Sequence, residues 1–160
     1  MQNSNYITTE IAIIKLEKYC SLSEKCKFDI IKKLNNWKVY KDQNQIINHL
    51  IENNYINEAR YTSLYCTGKF NIKNWGKIKI THHLKIKGIS NKLISSSLDS
   101  ISEKAYINSI NKLILKKSNL INEKNIYKKN AKIARYLYQK GYETGLVWEL
   151  INIKSKKTND

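Results

Sequence analysis

Apolar residues return every three or four positions along most of this chain, the spacing that gathers them on one face of an α-helix. Ile13, Leu16 and Cys20 mark a first helix starting at Thr9. Ser21-x-x-Glu24 has the form of a capping box, with the serine oxygen taking the Glu24 amide and the carboxylate taking that of Ser21. It opens a second helix through Cys26, Ile30, Ile31 and Leu34, ending near Trp37. Asp42 caps a third, in which Ile46, Ile47, Leu50 and Ile51 form a stripe too rich for an exposed helix.

The same grammar then repeats. Tyr61, Leu64, Tyr65 and Phe70 supply the apolar face of the next helix, where Tyr65-Cys66 echoes Tyr19-Cys20. Gly68 and the run Asn71-Ile72-Lys73-Asn74 predict a break before a central helix over 75–89. On that helix Ile80 and Leu84 share one side, while Trp75, Ile78 and Ile86 fall nearly opposite, which predicts contact with a neighbouring unit, the reading favoured for a middle repeat, or else a docking surface. Ser90 caps a helix through Ile94, Leu98 and Ile101. Ser102-Glu103 starts another through Ile107, Ile110, Leu113 and Ile114, ending around Lys116-Lys117-Ser118. The following helix spans about 124–140 and stops at Gly141, where a left-handed residue is tolerated. Val147, Trp148 and Ile151 close the pattern.

One phrase recurs at intervals of about fifty residues: Ile30-x-x-x-Leu34-x-x-Trp37-Lys38-Val39, Ile80-x-x-x-Leu84-x-x-Lys87-Gly88-Ile89 and Ile133-x-x-x-Leu137-x-x-Lys140-Gly141-Tyr142. The predicted fold is therefore all-α: three tandem three-helix repeats in an elongated, curved array. The repeats cover 9–56, 57–101 and 102–152, between a flexible start (1–8) and a disordered tail (153–160).

Composition narrows the chemistry. The chain has 160 residues, of which 41% are hydrophobic, enough for a core; no proline and five glycines leave long helices uninterrupted. No apolar run reaches the roughly 20 residues of a membrane span, and MQNSNYITTE lacks the features of a secretory signal, so a cytoplasmic protein is expected. Cys20, Cys26 and Cys66 lack CxxC spacing and read as small buried hydrophobes. The net charge of +16, from 29 basic and 13 acidic residues, implies a polyanionic partner. Lysine abundance alone reflects compositional bias; the scarcity of acid beside it carries the inference. Trp75–Ile89 shows it best, with Lys77, Lys79, Lys85 and Lys87 against no acidic residue.

The combination of Asn54-Tyr55-Ile56-Asn57-Glu58-x-Arg60-Tyr61, Lys69-Phe70, Trp75-Gly76-Lys77-x-Lys79-Ile80 and Leu84-x-x-Lys87-Gly88-Ile89 resembles the RecX family of recombinase regulators. The likeness covers about 10–152 and is strongest over 54–98. It departs at Asn57 and Ala59, where the family phrase is more acidic, and at Lys38, where the other repeats have glycine. The resemblance implies a monomeric, cofactor-free, non-enzymatic protein that binds the RecA filament and single-stranded or double-stranded DNA. It implies inhibition of strand exchange, ATP hydrolysis and filament growth. The alternative from the residues themselves is a general basic DNA-binding helical protein with no recombinase partner.

Candidate contact residues are Arg60, Lys69, Lys73, Lys77, Lys79, Lys85, Lys87 and Arg135, with Trp75 as a partner-surface aromatic. The guanidinium of Arg60 suits a phosphate or carboxylate, or equally an internal bridge to Glu58 or Asp99. Tyr61, Tyr65, Phe70 and Trp75 interleave with lysines as base-stacking residues would, although their helical spacing fits core packing better. His82 and His83 diverge by about 100° on a helix and do not share a metal site. Neither a Gly-rich phosphate loop nor a nucleophile elbow is present in the sequence.

Overall fold

A computed structural model describes residues 7–157, with side chains as far as Lys154. Among these residues the chain forms nine α-helices and no strand. They are α1 (Thr9–Leu22), α2 (Lys27–Asn36), α3 (Gln43–Glu52), α4 (Glu58–Lys73), α5 (Lys77–Ile86), α6 (Asn91–Asp99), α7 (Glu103–Leu120), α8 (Ile126–Lys140) and α9 (Thr144–Lys157). Extensive helix packing stays within triplets: α3 on α1 and α2, then α4 with α5 and α6, then α7 with α8 and α9.

The recurring phrase is the second helix of each triplet and its exit. Ile30 and Leu34, Ile80 and Leu84, and Ile133 and Leu137 are all buried. Each exit places one left-handed residue, Lys38 (φ 60°), Gly88 (φ 74°) or Gly141 (φ 88°). The next amide then reaches back to the leucine carbonyl: Val39 to Leu34 at 2.9 Å, Ile89 to Leu84 and Tyr142 to Leu137 at 3.1 Å. This is the 6→1 bond of a Schellman cap, which returns the chain with an apolar residue pointing inward. Lys38 adopts the same conformation as the glycines it replaces.

Ser90 and Ser102 cap α6 and α7 as their positions predict, accepting from Leu93 (3.4 Å) and Ala105 (3.3 Å). The capping box lies elsewhere. Ser21 stays inside α1 and bonds back to the Lys18 carbonyl (2.8 Å), while α2 starts at Cys26, whose amide donates to Asp29 (3.3 Å). Asp42 occupies the start of α3, yet its carboxylate takes the Thr9 hydroxyl (3.1 Å) instead of a helix amide.

Other expectations are corrected by rotation or length. On α4 the buried face is Tyr61, Thr62, Cys66 and Phe70, so Leu64 turns outward. Gly68 lies within α4, and the chain breaks only at Asn74, in a left-handed conformation. Trp75 precedes α5, and Ile78 and Ile86 are exposed, so the second apolar stripe is not what touches the neighbouring triplet. Leu150 enters the core in place of Trp148. The tail is helical as far as Lys157, and Lys154 reaches the Asn111 carbonyl on α7 (2.9 Å). Of the expected flexible start, residues 1–6 lie outside the described ones, and the Thr8 hydroxyl accepts the Ile11 amide (3.4 Å).

The two joints between triplets are built differently. Between the second and third, main chain meets main chain: Gly76 N–H donates to Lys140 C=O (2.8 Å) and Ile78 N–H to Gly141 C=O (3.1 Å). A Cβ on Gly76 would run into the Gly141 carbonyl, and one on Gly141 into Lys79, so both glycines are demanded by the approach. Tyr106 seals this joint, accepting the Lys77 amide (2.9 Å) and donating to Glu143 (2.7 Å). One core runs through both triplets, from Tyr61 and Phe70 to Leu150 and Ile151. The first triplet has a core of its own, Ala12 to Ile56, and only its Cys26 belongs to the larger one. Its joint is ionic: Arg60 Nε to Glu24 at 2.6 Å and Lys87 Nζ to Asp29 at 2.5 Å.

Candidate functional site

Positions one turn apart build two facing ridges. Tyr61, Tyr65 and Lys69 line α4, and Lys79 and His83 line α5, with Lys87 at its C-cap. Trp75, in the turn between the helices, sits at their meeting point. The Lys69 and Lys79 ammonium groups lie 5.0 and 4.8 Å from its ring centre, and the His83 ring centre is 4.7 Å away. Lys69 is also 5.0 Å from the Tyr65 ring.

Contacts of this kind continue across both joints. In the first triplet, Lys33 stands over Tyr19 (5.2 Å) and Trp37 (5.4 Å), joined by Lys25 on Tyr19 (4.5 Å) and Lys15 on Trp37 (5.7 Å). Asp29 and Lys87 carry the row into the second triplet, with Lys87 over Phe28 (5.3 Å) and Tyr61 (5.7 Å). Beyond Trp75, Lys79 donates to the Gln139 carbonyl (3.1 Å) and Lys140 to that of Lys73 (3.2 Å). Lys117 and Lys140 then flank Tyr136 at 5.1 and 5.8 Å. A band of lysines and aromatic rings thus runs from Trp37 to Lys117 through all three triplets.

Apart from Lys87, which is paired with Asp29, the band orients positive charge without neutralising it. A cation on a ring gains only about 0.5–1 kcal/mol at an exposed site, far less than its interaction with a phosphate in the same place. His83 records the resulting field: its burial holds the imidazole below the ordinary 6.5, and His82, Lys79, Lys69 and Lys87 push in the same direction. At Asp29 burial works to raise the carboxyl, but Lys87 and Cys26 outweigh it and the net shift is downward. Burial pushes the thiols of Cys20 and Cys66 up to about 11.

The sequence candidates therefore separate by environment. Lys69, Lys79 and Trp75 form the centre of the band, and Lys73 is exposed one turn beyond Lys69. Lys87 belongs to it but is paired. Lys77 turns away toward the Tyr106 ring (5.0 Å), while Lys85 and Arg135 are exposed outside these contacts. Arg60 is held within the fold, by Glu24 rather than Glu58 or Asp99, and also by Asn54 through its side chain and carbonyl (both 3.1 Å). His82 and His83 meet edge-on at 5.9 Å, and among the described residues no group of three His, Cys, Asp or Glu side chains could hold a metal. The sequence candidates did not include Lys15, Lys25, Lys33, Lys117 or Lys140. The signal was available in the repeat, because Lys140 stands at the position of Lys87.

Residues 57–98 match the second three-helix domain of RecX, and 105–151 match the third, together more than half of the chain. The chain belongs to the RecX family. It is 32% identical over 107 residues to the regulatory protein RecX of Clostridium beijerinckii, covering 66% of this chain and 49% of that one. With the RecX of Clostridium acetobutylicum the identity is 27% over 156 residues, 94% of this chain and 71% of the relative. The chain thus spans about half the length of the first relative and about seven-tenths of the second. The fold matches the crystal structure of RecX from Lactobacillus salivarius with a TM-score of 0.79, at 23% identity over 90% of this chain and 94% of that one. A second RecX crystal structure gives a TM-score of 0.82, covering 90% of this chain and 72% of the other. Both RecX structures share the arrangement of tandem three-helix repeats.

Proposed function

We propose that this chain regulates the RecA recombinase by laying its lysine and aromatic band on the RecA filament and the single-stranded DNA within it. The observation carrying this reading is the continuity of the band across both joints. A row of mostly half-buried cations, set among aromatic rings and spanning all three triplets, fits an extended polyanion better than a small substrate. The protein works by binding: it slows filament growth, strand exchange and the accompanying ATP hydrolysis, and so acts in DNA repair and recombination. Lysines on phosphates position a protein without reading sequence, so no base sequence is preferred. If about five phosphates are neutralised, the logarithm of the affinity for single strands falls with the logarithm of salt concentration at a slope of roughly −3.5.

The test is DNA-dependent ATP hydrolysis by RecA with this protein added well below the recombinase concentration. The reading predicts slowing; no effect at equimolar amounts contradicts it. Capture of RecA after nuclease treatment distinguishes this reading from that of a general DNA-binding protein, which predicts that the association disappears with the nucleic acid.

A further inference from the structure

At the ionic joint, beside the band, a cleft of about 510 Å³ opens between the first and second triplets, lined by Ser23, Glu24, Tyr61, Leu64 and Tyr65. Its size falls within the roughly 300–1,000 Å³ range of small-molecule sites. Its wall is aromatic, with the Tyr61 and Tyr65 rings 5.8 Å apart and tilted by 32°. Leu64, the residue that the helical pattern assigns to the core, instead stands 57% exposed on the rim. Glu24 places a second chemistry here. One carboxylate oxygen is taken by Arg60, while the other, Oε2, is buried beside the cleft with no hydrogen-bond partner. On the open side Lys69 reaches from Tyr65 to Trp75, with Lys79 beyond it.

We propose that this cleft takes one unpaired nucleotide of single-stranded DNA, its base stacked on Tyr65 beside the largely buried Tyr61 and its phosphate on Lys69 and Lys79. The assignment rests on the proposed function and deepens it by naming where a strand is held by its base. Stacking surfaces in a row with cations suit an unpaired base, whose π-face is free, and exclude a paired one. An apolar side chain of a partner protein would fill the aromatic wall but leave the lysines unanswered; a nucleotide answers both.

The site also predicts a proton linkage. His83 is faced by Lys69 from α4, by Lys79, His82 and Lys87 from α5, and by the Trp75 ring, while Asp29 of α2 is engaged by Lys87. A phosphate between Lys69 and Lys79 adds negative charge to this positive surrounding and raises the His83 pKa. Protons are then taken up on binding, and affinity rises as the pH falls toward and below the ordinary imidazole value of 6.5.

The experiment uses the full chain with Trp37 and Trp148 changed to Phe, so that Trp75 fluorescence reports the site. Probes are (dC)15, an abasic strand of equal length and the corresponding duplex. The proposal predicts Trp75 quenching by (dC)15 and an affinity about tenfold above that for the abasic strand, since stacking contributes about 1–3 kcal/mol per base. Tyr65→Leu lowers (dC)15 affinity more than abasic affinity and closes the gap between them; His83→Gln removes the pH dependence. Equal affinity for (dC)15 and the abasic strand, measured on the wild-type chain by anisotropy of labelled strands, overturns the site. So does Tyr65→Leu weakening both probes alike. If RecA ATP hydrolysis is still slowed in that case, the regulatory reading stands without the nucleotide site. If base-dependent binding holds but hydrolysis is not slowed, the site stands and the regulatory reading falls.

Discussion

Lys38 shows at the level of one residue how a repeat constrains its members. A side chain at φ 60° costs about 1–2 kcal/mol relative to glycine, yet the Schellman turn and its 2.9 Å bond hold it there. Lys38→Gly is therefore expected to raise thermal stability by about 1 kcal/mol, read from a denaturant midpoint. Glycines respond in the opposite sense wherever a joint needs them. Gly76→Ala and Gly141→Ala each cost more than about 2 kcal/mol, because the added methyl meets the backbone or side chain of the adjoining triplet. Gly68→Ala, inside α4 with open space around it, is neutral or stabilises by up to about 1 kcal/mol. Much at this scale was legible in the sequence. The Ile and Leu of the repeated phrase, the serine caps and the glycine exit all carry local signals. Ser21 against Cys26 was not legible, since either can start a helix, and what decides is that Glu24 leaves to meet Arg60, 36 residues on.

Helices meet across the joints through groups that local spacing does not connect. Gly76 and Gly141 stand 65 positions apart, and Lys87 and Asp29 are 58 apart, so periodicity cannot pair them. The Lys87–Asp29 pair is the more informative, because both side chains are largely buried, at 22% and 19% exposure. A double-mutant cycle with Lys87→Met and Asp29→Asn is expected to give a coupling of about 1–2 kcal/mol, between the surface and buried limits. Because the folded Asp29 carboxyl lies below its ordinary 3.8, the contribution is complete above that value. It is lost as the pH falls through the lowered folded value, and acid titration of the wild type against Asp29→Asn checks the sign. Replacing Lys87 together with the band lysines would thus mix stability with binding, which is why Lys69 and Lys79 make the cleaner pair.

The whole molecule behaves as one fused pair of triplets, to which the first triplet is joined by Cys26 and two ion pairs. Amide exchange in α1–α3 is expected to accelerate between low and high salt, while the α4–α9 core keeps its protection; uniform exchange throughout contradicts the two-core account. The repeat architecture and the basic character were open to sequence reasoning, but the continuity of the lysine and aromatic band was not. It arises from three equivalent helix pairs brought side by side. The measurement that tests this band most directly is slowing of RecA ATP hydrolysis by two variants of equal charge. One carries Lys69→Gln and Lys79→Gln, within the band; the other carries Lys85→Gln and Lys92→Gln, on exposed positions outside it. The account predicts that the first loses most of its effect while the second retains it, with unchanged helix content in both. Equal loss in the two would mean that total charge, and not this band, carries the binding.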